Sequence, residues 1–123
     1  MYRSFEELVV WKRGCKLAVD VFFALRDCRE FGLRDQMNRA AVSIPSNIAE
    51  GAERDSVKEF VHFLHIAKGS AAELRTQIYI AGNIGILTPQ ITQPLINETK
   101  EISAMLQGLI NSKKTTKMKV LSD

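Results

Sequence analysis

Arg39-Ala-Ala-Val-Ser-Ile-Pro-Ser-Asn-Ile-Ala-Glu-Gly51 is the stretch that decides the fold. Within it and its flanks, two residue sets recur at helical spacing. Met37, Ala40, Ala41, Ile44, Ile48 and Ala52 fall on one side, and Gln36, Arg39, Ser43, Asn47, Glu50 and Arg54 on the other. Pro45 stands in the middle. Without an N–H it loses the bond to the Ala41 carbonyl, and its ring crowds that carbonyl, at about 3 kcal/mol. The pattern is regular on both sides of the proline, so it predicts one helix over roughly residues 33–53, bent at Pro45. The competing reading is a helix–loop–helix broken there. Ser43 and Ser46 can bond the freed backbone groups locally.

The polar side carries Arg39, Ser43, Asn47 and Glu50 as a single stripe. Two readings stay open for it. One is a solvated outer face. The other is a polar network between helices or subunits, with Arg39 paired to Glu50 or Glu73. Small neighbours (Ala40, Ala41, Ala49, Gly51) would let another helix come close.

Upstream, Ser4-x-x-Glu7 reads as a capping box that opens a first helix ending near Asp27. That helix has two apolar stripes: Leu8, Trp11, Cys15, Val19, Phe22 and Leu25, and Val10, Leu17, Val21, Ala24 and Cys28. A helix at the edge of a lone bundle needs only one stripe. The second predicts cover from another subunit. Gly32 is expected to supply a left-handed exit before helix 2.

Downstream, Ser56-x-x-Glu59 opens a third helix running to about Asn83, with Gly85 as its left-handed cap. Its core stripe is Phe60, Phe63, Leu64, Ala67, Ala71, Leu74, Ile78 and Ala81. Gly69-Ser70-Ala71-Ala72 is small for mid-helix. Glycine there costs about 1 kcal/mol relative to alanine, which close approach of a neighbouring helix would offset. A fourth helix starts at Thr88-Pro89 or at Thr92 and buries Ile91, Leu95, Ile102, Met105, Leu106, Leu109 and Ile110. Its pattern ends at Asn111. Nothing reads as a strand. The expected fold is all-α: an antiparallel up-down four-helix bundle over residues 1–112, followed by a basic, disordered tail over 113–123.

The 123 residues suit one domain, and a 46% hydrophobic, 25% charged composition is that of a globular protein. No apolar run is long enough to span a bilayer. The amino-terminal residues carry acids where a signal peptide would have an apolar centre, which reads as cytoplasmic. Cys15 and Cys28 share one predicted helix, too far apart for a disulfide, as expected of a reducing compartment. The net charge of +3 sits in the tail, where Lys113, Lys114, Lys117 and Lys119 stand against Asp123. The remaining body is balanced. A lysine segment of this kind is either a solvated end or a phosphate binder acting through counterion release.

No catalytic constellation is found. Glu59-x-x-His62 lacks the second such unit that a di-iron bundle requires. His62 and His65 lack a third metal ligand. Ser43, Ser46 and Ser70 lack a His–Asp arrangement. Nucleotide-binding loops and zinc clusters are absent from the sequence. No enzyme activity, cofactor, metal or small-molecule substrate is expected.

The residues Phe5, Leu8, Val10 and Trp11, then Gln36, Arg39-Ala-Ala41 and Ser43-Ile-Pro-Ser-Asn-Ile-Ala-Glu-Gly51, then Arg54, Ser56 and Glu59-Phe60 form a motif set. Phe63-Leu64, Ile66-Ala67, Gly69-Ser70 and Glu73-Leu74 complete it. Over roughly residues 5–87 the chain resembles the bacterial four-helix bundle proteins first known from open reading frames in intervening sequences of 23S ribosomal RNA genes. Asp27-Cys-Arg-Glu-Phe lacks a proline that such proteins often carry before the position of Gly32. The resemblance implies an up-down bundle that assembles as a ring-like homopentamer, with no enzymatic activity. The chain also looks like the accessory proteins of diversity-generating retroelements, which are basic, pentameric, and contact nucleic acid and a reverse transcriptase.

The functional expectation is an oligomer associated with RNA or DNA through Arg13, Lys16, Lys58 and Lys68 on the body and the four tail lysines. The alternative is a protein-interaction ring with no nucleic-acid affinity.

Overall fold

The computed structural model describes the backbone of residues 4–122 and the side chains of residues 4–115. A 3-10 turn (Phe5–Glu7) precedes α1 (Val9–Ala24), α2 (Phe31–Ala52), α3 (Val57–Asn83) and α4 (Pro89–Ser122). Short connections join successive helices into an up-down bundle. α1 packs on α2 and α4, and α3 packs on α2 and α4, while the backbones of the diagonal pairs stand farther apart. The four helices therefore stand at the corners of a square.

α2 runs unbroken through Pro45, which excludes the helix–loop–helix reading. The proline is buried, and its ring faces Gly14 of α1. A Cβ built on that glycine would lie 3.4 Å from the Pro45 Cβ and Cδ atoms. Packing of the ring against α1 is what offsets the lost hydrogen bond. Further along, α2 passes α3 at Gly51. A Cβ there would sit 2.6 Å from the Phe63 Cβ, so only glycine allows this approach.

The core is lined by Leu17 and Val21 of α1, Met37, Ile44 and Ile48 of α2, Leu64, Leu74 and Ile78 of α3, and Ile102, Leu106 and Ile110 of α4. Burying each large side chain stabilises the fold by roughly 1.5–3 kcal/mol. On α1 the stripe Val10, Leu17, Val21 faces inward and is joined by Leu25. Trp11 and Cys15 of the other stripe are half-buried, and Val19 and Phe22 are exposed.

Several boundaries differ from expectation. Ser4 caps the 3-10 turn instead of α1: its hydroxyl accepts from the Glu6 amide and donates to the Glu6 carboxylate. Leu8 then adopts an extended conformation, which lets its side chain pack on the core before α1 starts at Val9. α1 ends at Ala24, where the Leu25 amide reaches back to Val21 and Phe22 and Cys28 closes a further turn on Leu25. Gly32 is not a left-handed exit. It lies in the first turn of α2, and Gly85, at φ +82°, is the only left-handed residue among those described.

Two termini follow the sequence closely. Ser56 accepts from the Glu59 amide at 3.1 Å and opens α3. Gly85 closes it, with Ile86 N–H returning to the Ala81 carbonyl. α4 starts at Pro89, and Thr88 accepts the Ile91 and Thr92 amides. It does not stop at Asn111. No glycine or proline follows Gly108, and Thr115 bonds the Asn111 carbonyl, so the backbone stays helical to Ser122. Among the described residues no helix is long and apolar enough to cross a membrane.

Candidate functional site

Three surface features bring together the residues singled out from the sequence. The first is a polar recess of about 440 Å³ on the outer side of α2 and α3, lined by Gln36, Arg39, Ala40, Ser43 and Glu73. Helical spacing on α2 delivers Gln36, Arg39 and Ser43 to its wall. Ser43 is half-buried and meets the Ser70 hydroxyl of α3 at 2.8 Å. Asn47 donates to the Ser43 carbonyl at 2.8 Å and to its hydroxyl at 2.9 Å. Glu50 points away and pairs with Arg54 at 3.1 Å. Arg39 and Glu73 share the recess but form no ion pair among the described residues. The stripe thus divides into a half-buried Ser43–Asn47–Ser70 cluster between helices and exposed charges outside it. Ser70 enters this cluster only through the α2–α3 pairing, which helical spacing on α2 alone does not reveal.

The second feature is an apolar groove of about 390 Å³ between α1 and α2. Phe5, Trp11, Cys15 and Ala18 line one wall and Val42, Pro45, Ser46 and Ala49 the other. Phe5 meets Trp11 edge-to-face at 5.2 Å. Burial pushes the Cys15 thiol up, so little of it is thiolate near neutral pH. Iodoacetamide is therefore expected to label Cys15 several-fold more slowly in the native protein than in denaturant. Equal rates by mass spectrometry would contradict this.

The third feature is basic and lies where α3 begins, against the last third of α4. Lys58 and Lys114 line a small cavity of about 200 Å³ with Val57 and Val61. The Lys113 ammonium stands 5.5 Å from the centre of the Phe60 ring. The side chains of Lys117 and Lys119 lie outside the described residues.

The remaining basic candidates stand elsewhere and are engaged. Arg13 binds Glu98 of α4 through two hydrogen bonds, at 2.9 and 2.5 Å. That bond, and then the carboxylate charge, hold the guanidinium more firmly protonated. Lys16 pairs with Asp20 one turn on, which raises its pKa, and Lys68 donates to Gln107 of α4 at 2.6 Å. Glu98 and Gln107 are far away in the chain, so their roles leave no local signal in the sequence. Among the described residues, no group of three His, Cys, Asp or Glu side chains is arranged to hold a metal ion.

No curated protein matches the chain. Among solved structures, it is similar to a protein of unknown function from the S23 ribosomal protein family of Bacteroides thetaiotaomicron. The two share 25% identity with a TM-score of 0.79, over 83% of this chain and 98% of the other. The sequence profile of the 23S rRNA-intervening sequence proteins matches residues 6–108, which takes in α1, α2, α3 and most of α4. On that match the chain belongs to the 23S rRNA-intervening sequence protein family.

Proposed function

We propose that this chain is a non-enzymatic, self-assembling protein of the cytoplasm that associates with nucleic acid, either intervening-sequence rRNA or a ribonucleoprotein. The observation that carries the reading is the extension of α4 past Asn111. It brings Lys114 beside Lys58, and Lys113 over Phe60 of the same helix, in a bundle whose remaining charge is balanced. Lysines grouped on a helix end meet phosphates as point charges, and they bind by displacing counterions rather than by reading bases. Two free cysteines suit a reducing compartment. The exposed apolar surface of α1 supports assembly with further copies, in a ring of five as in the proteins the chain resembles.

The test is a titration with a structured RNA hairpin at low and at physiological salt. The full chain is compared with a variant carrying Lys113→Gln, Lys114→Gln, Lys117→Gln and Lys119→Gln. Binding by the full chain should weaken steeply with salt. The variant's logarithmic salt slope should be smaller by roughly four if each lysine meets a phosphate. Absence of salt-dependent binding by the full chain would remove the nucleic-acid reading. It would favour the second reading, a protein-interaction ring, to which the engagement of Arg13 by Glu98 and Lys16 by Asp20 already lends support.

A further inference from the structure

The charge of the body is balanced in sum but not in distribution, and the face shared by α3 and α4 carries the excess. Lys68 of α3 donates to Gln107 of α4 at 2.6 Å, and Arg75 of α3 donates to Ser103 of α4 at 3.3 Å. These two contacts fix which residues border the groove between the helices. Helical spacing from them places Lys58, His65, Lys68, Arg75 and Tyr79 on the α3 side, and Lys100, Ser103, Gln107 and Lys114 on the α4 side. The pair Lys58 and Lys114 is therefore one end of a longer row. At the helical rise per residue the row runs about 26 Å from Lys58 to Arg75. Tyr79, with its ring half exposed, lies one turn beyond.

No carboxylate neutralises this row. Glu59 is held by the Ser56 cap, Glu73 lies in the recess toward α2, and Glu98 binds Arg13 on the α1 side. Glu101 borders Lys100 at the outer rim without an ion pair, and its charge also falls on Arg13. Among the described residues none of Lys58, Lys68, Arg75, Lys100 and Lys114 forms an ion pair. Gln107 and Ser103 are neutral, so they orient Lys68 and Arg75 and leave the charge intact. The Arg75 Nε–H has no acceptor among the described residues. Between Lys68 and Arg75 the surface is Ala72, Ser103 and Gln107, with no large apolar side chain of the kind that anchors a protein partner.

We infer that the α3–α4 groove is a track for the sugar–phosphate backbone of a single nucleic-acid strand, held from Lys58 and Lys114 through Lys68 to Arg75 and Lys100. The inference rests on the nucleic-acid reading proposed above and adds where on the body the strand lies and in what form. A strand carries one phosphate per about 3.4 Å of axis when stacked, so the row faces several phosphates at once. The cations meet backbone and not base edges, so the track reads no sequence. The row is also straight. A strand of a duplex winds once around its axis in about 34 Å and would leave a straight row within its length. A single strand is flexible enough to follow it. Tyr79 offers its ring to a base at the Lys100 end.

The test titrates the full chain with an oligouridine of about 16 nucleotides over a range of salt, with an RNA duplex of the same length as a second arm. The track variant carries Lys68→Gln, Arg75→Gln and Lys100→Gln. The control loses equal charge through Lys12→Gln, Arg26→Gln and Arg29→Gln, all at exposed positions outside the groove. Circular dichroism checks that both keep native helicity. On oligouridine the track variant's logarithmic salt slope should fall by roughly two, at about 0.7 per phosphate contact on a single strand. The control should keep the wild-type slope. Lys100→Gln alone, at an exposed position, should lower the slope by about 0.7, which decides the matter if the triple variant loses helicity. A track variant with the wild-type slope, or a control that loses as much, would overturn the track and leave the proposed function standing on the tail lysines. A loss confined to the duplex arm would overturn the single-strand assignment. A wild type without salt-dependent binding in either arm would overturn the nucleic-acid reading beneath it.

Discussion

Gly51→Val is expected to lower the stability of the fold by about 3 kcal/mol and its melting temperature by roughly 10 °C. The added Cβ would lie 2.6 Å from the Phe63 Cβ and 3.3 Å from the Phe60 carbonyl oxygen. Neither atom is the free end of a side chain, so relief requires α2 and α3 to part. The parting would strain the Ser43–Ser70 contact further along the same pair of helices. Gly69→Ala provides the comparison. It adds a single methyl group where nothing lies within 4 Å, so stability should hold or rise by up to about 1 kcal/mol. Urea denaturation of both variants checks the pair. A Gly51→Val protein as stable as wild type would show that the α2–α3 approach is looser than described.

Leu17→Ala is expected to cost about 3 kcal/mol, while Phe22→Ala on the same helix costs less than about 1 kcal/mol. Leu17 is 1% exposed and leaves a cavity among α1, α2 and α4 when truncated. Phe22 is 57% exposed, and its ring stacks edge-on against its equally exposed neighbour Phe23. Denaturation in dilute solution measures the difference, because assembly would add cover to Phe22. Equal losses would mean that α1 is turned about its axis relative to the orientation described.

The same helix shows where the sequence stops being informative. Its two apolar stripes satisfy helical periodicity equally well, and only the positions of α2 and α4 select Leu17 over Phe22 for the interior. In α2, by contrast, one apolar stripe stands against one polar stripe, so Met37, Ala41, Ile44 and Ile48 could be assigned to the core directly. Local chemistry also identified the Ser56 cap and the Gly85 exit, because both depend on residues within a turn of each other. It failed at Gly32, where the reversal is made by the turns after Leu25. The polar stripe was visible, but its division into a half-buried cluster and exposed charges was not. That division depends on Ser70 in another helix. The basic residues were equally visible by charge. Which of them are free for a partner depends on distant residues: Glu98 engages Arg13, and Gln107 engages Lys68.

The Ser43–Ser70 hydroxyl pair and the Gly51–Phe63 approach lie about two turns apart along α2 and act on the same neighbour. Together they work as two locating pins. Sliding α2 by one turn would separate Ser43 from Ser70 and drive a larger side chain into the Phe63 Cβ and the Phe60 carbonyl. Insertions or deletions inside these two helices should therefore be poorly tolerated. Length variation among homologues should collect in the connections around residues 25–30 and 84–88.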